Sequence, residues 1–111
     1  MLNNLKLYKE TYDFLLWVYP EIKKFPKSDK YTLGKKIKQL TEELLVNIIL
    51  ANKNTSKKEY LKIADLKLEL LRIFIRLSKD IKIIGLKKYE TASKKLDDIG
   101  KLLGGLLNRF K

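Results

Sequence analysis

The chain contains neither histidine nor cysteine. Those absences remove the imidazole base, the thiolate nucleophile and the usual zinc ligands, leaving carboxylates, hydroxyls and lysines as the only material for chemistry. Having no cysteine also fits a reducing compartment. Long apolar runs are missing too: Phe14 to Tyr19, and Leu44 to Ala51 with Asn47 inside it, fall far short of the roughly 18 residues needed to span a bilayer. The stretch up to Phe25 carries Glu10, Asp13 and Glu21 and no small-residue cleavage site, which argues against a secretory leader. A cytoplasmic protein without a membrane partner is expected. Acidic residues are scarce beside basic ones, 13 against 25, for a formal charge of +12 on 111 residues. A field of that sign draws in polyanions by displacing their condensed counterions, so nucleic acid is the first partner to consider. Lysine supplies most of it, since Arg72, Arg76 and Arg109 are the only arginines. Such a Lys- and Ile-rich composition also fits compositional bias or a heat-adapted host.

What is present is helical periodicity in four punctuated blocks. The first runs through Leu5, Tyr8, Tyr12, Leu15, Tyr19 and Ile22 and is interrupted at Phe25-Pro26. After Pro26, where Ser28 or Asp29 is placed to cap, a second runs through Leu33, Ile37, Leu40, Leu44, Ile48 and Ala51. Ser56 and Glu59 have the spacing of a capping box ahead of the third, through Ile63, Leu66, Leu70, Ile73, Leu77 and Ile81. The fourth, through Tyr89, Ala92, Leu96, Ile99, Leu103 and Leu106 or Leu107, is expected to reach the C-terminus. Short connections join antiparallel neighbours, so the expected fold is all-α, an up-down-up-down four-helix bundle forming a single domain over residues 1–111.

The blocks hold more apolar surface than one bundle needs. The third has a second row at Leu61, Ala64, Leu68, Leu71 and Ile75, the second adds Leu45, Val46, Ile49 and Leu50, and the first adds Phe14, Trp17 and Val18. A helix apolar on most of its circumference is buried on more than one side, which predicts a homo-oligomer. The same topology sets the first and third connections at one end, so Lys23, Lys24, Lys27 and Lys30 share it with Lys79, Lys82, Lys87 and Lys88. All four blocks are net basic, a spread that suits sheathing by a phosphate backbone better than a single reading helix.

Catalysis finds little support. Asp65 and Glu69 continue into Arg72 and Arg76 along one strip, the pattern of intrahelical ion pairs. Di-metal bundles need a Glu-x-x-His motif, so no metal and no cofactor are expected. Arg72 and Arg76 have forked side chains suited to phosphate or carboxylate, in contact with nucleic acid or a partner, or in a salt bridge at a subunit seam. The tyrosines have helical spacing and are expected mostly in the core, with Tyr31, beside the basic connection, the least certain. Gly100 and Gly104 share a helix face and read as sites of close helix approach.

Three stretches are similar to a known family: Phe25-Pro26-Lys27-Ser28-Asp29-Lys30-Tyr31-Thr32-Leu33-Gly34, the segment from Leu71-Arg72 to Arg76-Leu77, and Ile99-Gly100-Lys101-Leu102-Leu103-Gly104-Gly105. Together they resemble the Avd-like proteins, accessory variability determinants of diversity-generating retroelements and relatives of proteins encoded in intervening sequences of bacterial 23S rRNA genes. The resemblance implies a four-helix bundle assembled as a homopentameric barrel with a basic surface. It implies a non-catalytic partner of a reverse transcriptase and its template RNA or cDNA. Arg72 and Arg76 match the family's helix-three arginines, which implies contact with polymerase or nucleic acid; Lys23, Lys24, Lys27, Lys30 and Lys79 are the further candidates. Leu106 departs from a tryptophan frequent in the family. Asn47-Ile48-Ile49-Leu50-Ala51 lacks the Glu-Gly of the intervening-sequence relatives, favouring the retroelement branch. The alternatives are an intervening-sequence-type protein and a helical scaffold that binds only protein.

Overall fold

A computed structural model describes residues 5–110; residues 1–4 and 111, the ends of the expected domain, lie outside the described residues. Each block forms a helix: α1 (Leu5–Lys23), α2 (Lys35–Lys53), α3 (Lys57–Asp80) and α4 (Leu86–Asn108). There is no strand among the described residues. The 24-residue α3, about 36 Å long at the helical rise, fits within overall extents of 43 × 22 × 20 Å. α1 packs on α2 and α4, and so does α3, which places α1 and α3 across a diagonal. Contacts between neighbours run in opposite order along the chain. Tyr19 bonds Glu42 while Ile22 lies against Gly34, Glu43 pairs with Lys67 while Lys36 lies over Phe74, and Arg72 pairs with Asp97 while Lys79 lies over Tyr89. No helix among the described residues is long and apolar enough to cross a membrane.

Helix ends differ in detail from the sequence expectation. Neither Ser28 nor Asp29 caps: Pro26, at φ −52° and ψ 148°, starts one α-turn, Lys27–Asp29, followed by a π-helical segment, Lys30–Gly34, that runs into α2. Pro26 fits because its carbonyl accepts from the Asp29 and Lys30 amides at 2.9 Å while its missing N–H is needed by nothing at a helix start. Ser56 occupies the N-cap of α3 but its hydroxyl makes no capping bond, so the capping box is not formed. Lys57 satisfies the end of α2 instead, its ammonium donating to the carbonyls of Ala51 (3.1 Å) and Asn52 (3.3 Å). α3 ends in a Schellman motif: Lys82 takes φ 66°, its amide donates to the Lys79 carbonyl, and the Ile83 amide donates to that of Ser78. α4 stops at Asn108 rather than at the C-terminus. α1 continues through Pro20, whose neighbourhood is exposed, where water can replace the missing bond to the Leu16 carbonyl.

One core cluster draws on all four helices. The expected rows of α2 and α4 are buried, and so is Ile22 at the end of the row expected for α1, but along the rest of α1 and along α3 the row that faces the core is the other one. α3 buries Leu61, Ala64, Leu68, Leu71 and Ile75, whereas Leu66 and Ile73 are 52% and 54% exposed. α1 buries Leu7, Thr11, Phe14, Val18 and Ile22, with Tyr8 and Tyr12 stacked on each other outside. The chosen rows contain the small residues Thr11, Ala64 and Ser78, which let helices approach, and keep the tyrosine hydroxyls wet. Thr11, Thr41 and Ser78 are buried without cost in unmet hydrogen bonds, because each hydroxyl donates to the carbonyl four residues back.

Candidate nucleic-acid interface

Gly34 sets the geometry of the basic end. A Cβ there would lie 2.7 Å from the Ile22 Cγ2, so the missing side chain lets the π-helical segment sit directly on the last turn of α1. That contact brings Lys23 beside the segment. Lys23, Lys30, Tyr31, Lys35 and Lys38 line an open cleft of about 570 Å³, with Ile22, Gln39 and Glu42 completing its wall. None of these four lysines is within ion-pair distance of a carboxylate among the described residues. Lys38 lies over the Tyr19 ring at 4.3 Å, and the Tyr19 hydroxyl donates to Glu42 at 2.9 Å. That bond to a carboxylate pushes the Tyr19 phenol above its ordinary pKa. Tyr31 is 67% exposed, the reverse of a core tyrosine. Lys27, also exposed, precedes the cleft on the Lys27–Asp29 turn.

The first and third connections do meet at one end. The mostly buried Glu21 carboxylate accepts from Lys88 and lies 3.5 Å from Lys24. The Lys88 hydrogen bond chiefly holds Glu21 below the ordinary carboxylate range, and the same bond raises Lys88. Lys24 is therefore drawn toward an acid, unlike Lys23 and Lys30. Lys79 pairs with Asp80 at 3.4 Å and lies over Tyr89 at 4.6 Å, while Arg76 reaches the same aspartate at 3.6 Å.

Arg72 stands apart, midway along the bundle. Its guanidinium donates to Asp97 at 2.5 Å and to the Leu96 carbonyl at 3.2 Å, both on α4, instead of to Asp65 or Glu69 on its own helix. It crosses above Gly100, where a Cβ would meet Nη2 at 2.7 Å. Gly100 is thus a site of close approach, as expected. Gly104 is not one within the chain, since a Cβ there meets nothing within 4 Å. Asp65, Glu69, Arg72, Asp97 and Lys101 line an open groove of about 530 Å³. No cluster of three or more carboxylates able to hold a metal occurs among the described residues.

Sequence reasoning named Lys23, Lys30 and Tyr31 but missed Lys35, Lys38 and the role of Gly34. Composition gives no sign of a π-helical turn, and that turn decides which lysines face together. The outer faces carry the exposed apolar residues. Leu5, Tyr8, Tyr12 and Leu16 on α1, and Ile63, Leu66, Ile73 and Leu77 on α3, are exposed on diagonal helices.

Comparison with known proteins places this geometry. The crystal structure of a protein of unknown function from the S23 ribosomal protein family of Bacteroides thetaiotaomicron VPI-5482 has a similar fold, with a TM-score of 0.88 over 96% of this chain and 99% of that one, at 17% identity. No curated protein matches the sequence. The bAvd-like family matches residues 5–110, all of the four helices and their connections, and the chain belongs to that family.

Proposed function

We propose that the chain is a non-catalytic accessory protein of a diversity-generating retroelement, acting in the cytoplasm. It holds a reverse transcriptase and nucleic acid, template RNA or its cDNA, together during mutagenic copying. In this reading it is a single antiparallel up-down-up-down bundle, assembled as a cyclic homopentamer. The carrying observation is the division of the outer surface, with apolar rows on two diagonal helices and unpaired lysines at one end. Two unlike faces on opposite sides favour head-to-tail contacts that close into a ring, whereas a two-fold dimer uses one face twice. The opposite order of contacts along each helix pair supports the antiparallel topology. Family membership supports the retroelement setting.

Candidate contacts are Lys23, Lys24, Lys27, Lys30 and Lys79 with Arg72 and Arg76. Arg72 spends two donors on α4 and keeps others for a partner.

The test is co-purification with a retroelement reverse transcriptase, together with anisotropy titrations of labelled RNA and DNA across a salt series. Expected are a stable complex and an affinity falling steeply with salt, because each neutralised phosphate releases counterions. Undetectable nucleic-acid binding at low salt would leave a protein-binding scaffold, and a monomeric mass by light scattering would defeat the ring. Arg72 and Arg76 lose their proposed role if replacing both by alanine leaves fold, polymerase binding and nucleic-acid binding unchanged.

A further inference from the structure

We infer that the cleft between the end of α1 and the π-helical segment binds single-stranded nucleic acid, with a base stacked on Tyr31 and neighbouring phosphates on Lys23, Lys30 and Lys35. The inference rests on the nucleic-acid reading above and narrows it to one place and one kind of strand.

Three observations carry it. The first is the Tyr31 ring, 67% exposed on a helical segment and without an aromatic, cationic or hydrogen-bonding partner among the described residues. A ring presented this way is a platform for a planar group, and every base has a face to offer it. Second, the charge around the ring is predominantly positive. Glu42 is the sole carboxylate in the cleft wall and already accepts the Tyr19 hydroxyl, while Lys38 is held over Tyr19. Lys23, Lys30 and Lys35 therefore remain for phosphates.

The third is how these groups come to face together. In a π-turn, residues five apart come closer to alignment than in an α-helix, so Lys35 follows Lys30 on the side where Tyr31 projects. Gly34 then admits the segment onto Ile22, which brings in Lys23 from another helix. The site is thus assembled from two elements by a missing Cβ and an irregular turn. Its volume of about 570 Å³ is that of a small-ligand site, open to a splayed nucleotide. Bases within a duplex are already stacked and cannot lie on the ring.

The experiment titrates the full chain into labelled oligouridylate of about 12 nucleotides, within the usual site size for single strands, and into an RNA duplex of similar length. Tyr31→Ala is expected to weaken oligouridylate binding at least about fivefold, the loss of one stacked base, and to change duplex binding less than about twofold. Tyr31→Phe keeps the ring and is expected to bind like the unaltered chain. Changing Lys23, Lys30 and Lys35 together to Gln is expected to flatten the slope of log affinity against log salt by about 2, at about 0.7 per phosphate on a single strand. Circular dichroism and mass measurements on each variant check that fold and assembly are intact.

If the unaltered chain binds oligouridylate and Tyr31→Ala binds equally well, the cleft assignment is overturned while nucleic-acid binding through other lysines stands. If the unaltered chain binds neither probe at low salt, the broader reading falls and the cleft assignment with it. Equal competition by polyglutamate, insensitive to Tyr31→Ala, would make the cleft a site for acidic protein segments and also overturn the assignment.

Discussion

Along α3, Leu61, Ala64, Leu68, Leu71 and Ile75 form one apolar row, and Ile63, Leu66, Ile73 and Leu77 another at the same helical spacing. The first row lies in the core, and the second faces outward with Leu66 and Ile73 more than half exposed. The two rows have nearly the same chemistry, so hydrophobicity does not choose between them. The inward row includes and continues into the small, fully buried Ala64 and Ser78, and the outward row has only large side chains. Close packing rewards the former, since voids and clashes both cost stability. The outward row stays exposed on the single subunit, where the proposed assembly would cover it.

Substitutions in the two rows should separate these roles. Leu71→Ala is expected to destabilise the subunit by about 2–5 kcal/mol, read from urea unfolding, because it opens a cavity in a fully buried position. Equal cost for Leu66→Ala in a dissociated subunit would break the contrast.

Close approach supplies the next effect. Gly34→Ala drives a methyl group into the stiff, buried Ile22 and should cost about 1–3 kcal/mol. Gly104→Ala, with open space inside the subunit, should gain up to about 1 kcal/mol of helix propensity. A loss at Gly104 instead would mean that a neighbouring copy packs there.

Glu21 contributes to the pH dependence of stability. Its folded pKa lies below the ordinary 4.5, so its contribution is present above that value and lost as pH falls through the lower folded one. Glu21→Gln should therefore be less stable than the unaltered chain near neutrality, and the gap should close on acidification, as followed by thermal melts. Lys88, raised by the same bond, acts in the opposite sense: its contribution is present below the ordinary lysine value and lost as pH rises through the raised one.

Lys82→Gly relieves a left-handed backbone and should add about 1 kcal/mol. Smallest for the subunit is Ile73→Glu, within about 0.5 kcal/mol in the dissociated state. Its effect should appear in sedimentation, as loss of the assembled species. Unchanged mass would show that this face is not the seam.

Helix number, positions and the inward rows of α2 and α4 were legible because each of those helices has one dominant apolar row. The choice of row in α1 and α3 was not, since periodicity reports spacing and leaves the phase open when two rows compete. Tyr8 and Tyr12 accordingly lie outside. At the candidate site, the shared end of the first and third connections was legible from topology, and Glu21 with Lys24 and Lys88 marks it. The partner of Arg72 was not legible, because Asp65 and Glu69 are nearer in sequence while Asp97 is nearer in space.

The π-helical segment at Lys30–Gly34 has one more consequence. Such a turn is equivalent to one extra residue inserted in an ordinary helix, and each residue of an α-helix advances by about 100° around the axis. Were the same residues wound as regular α-helix, Lys30 would be turned about 140° away from Lys35, five positions on. Deleting Thr32 as well would leave the two four positions apart and about 40° from each other, with net charge unaltered. The width of one turn, rather than the number of cations, thus sets the direction in which this end of the molecule presents its charge.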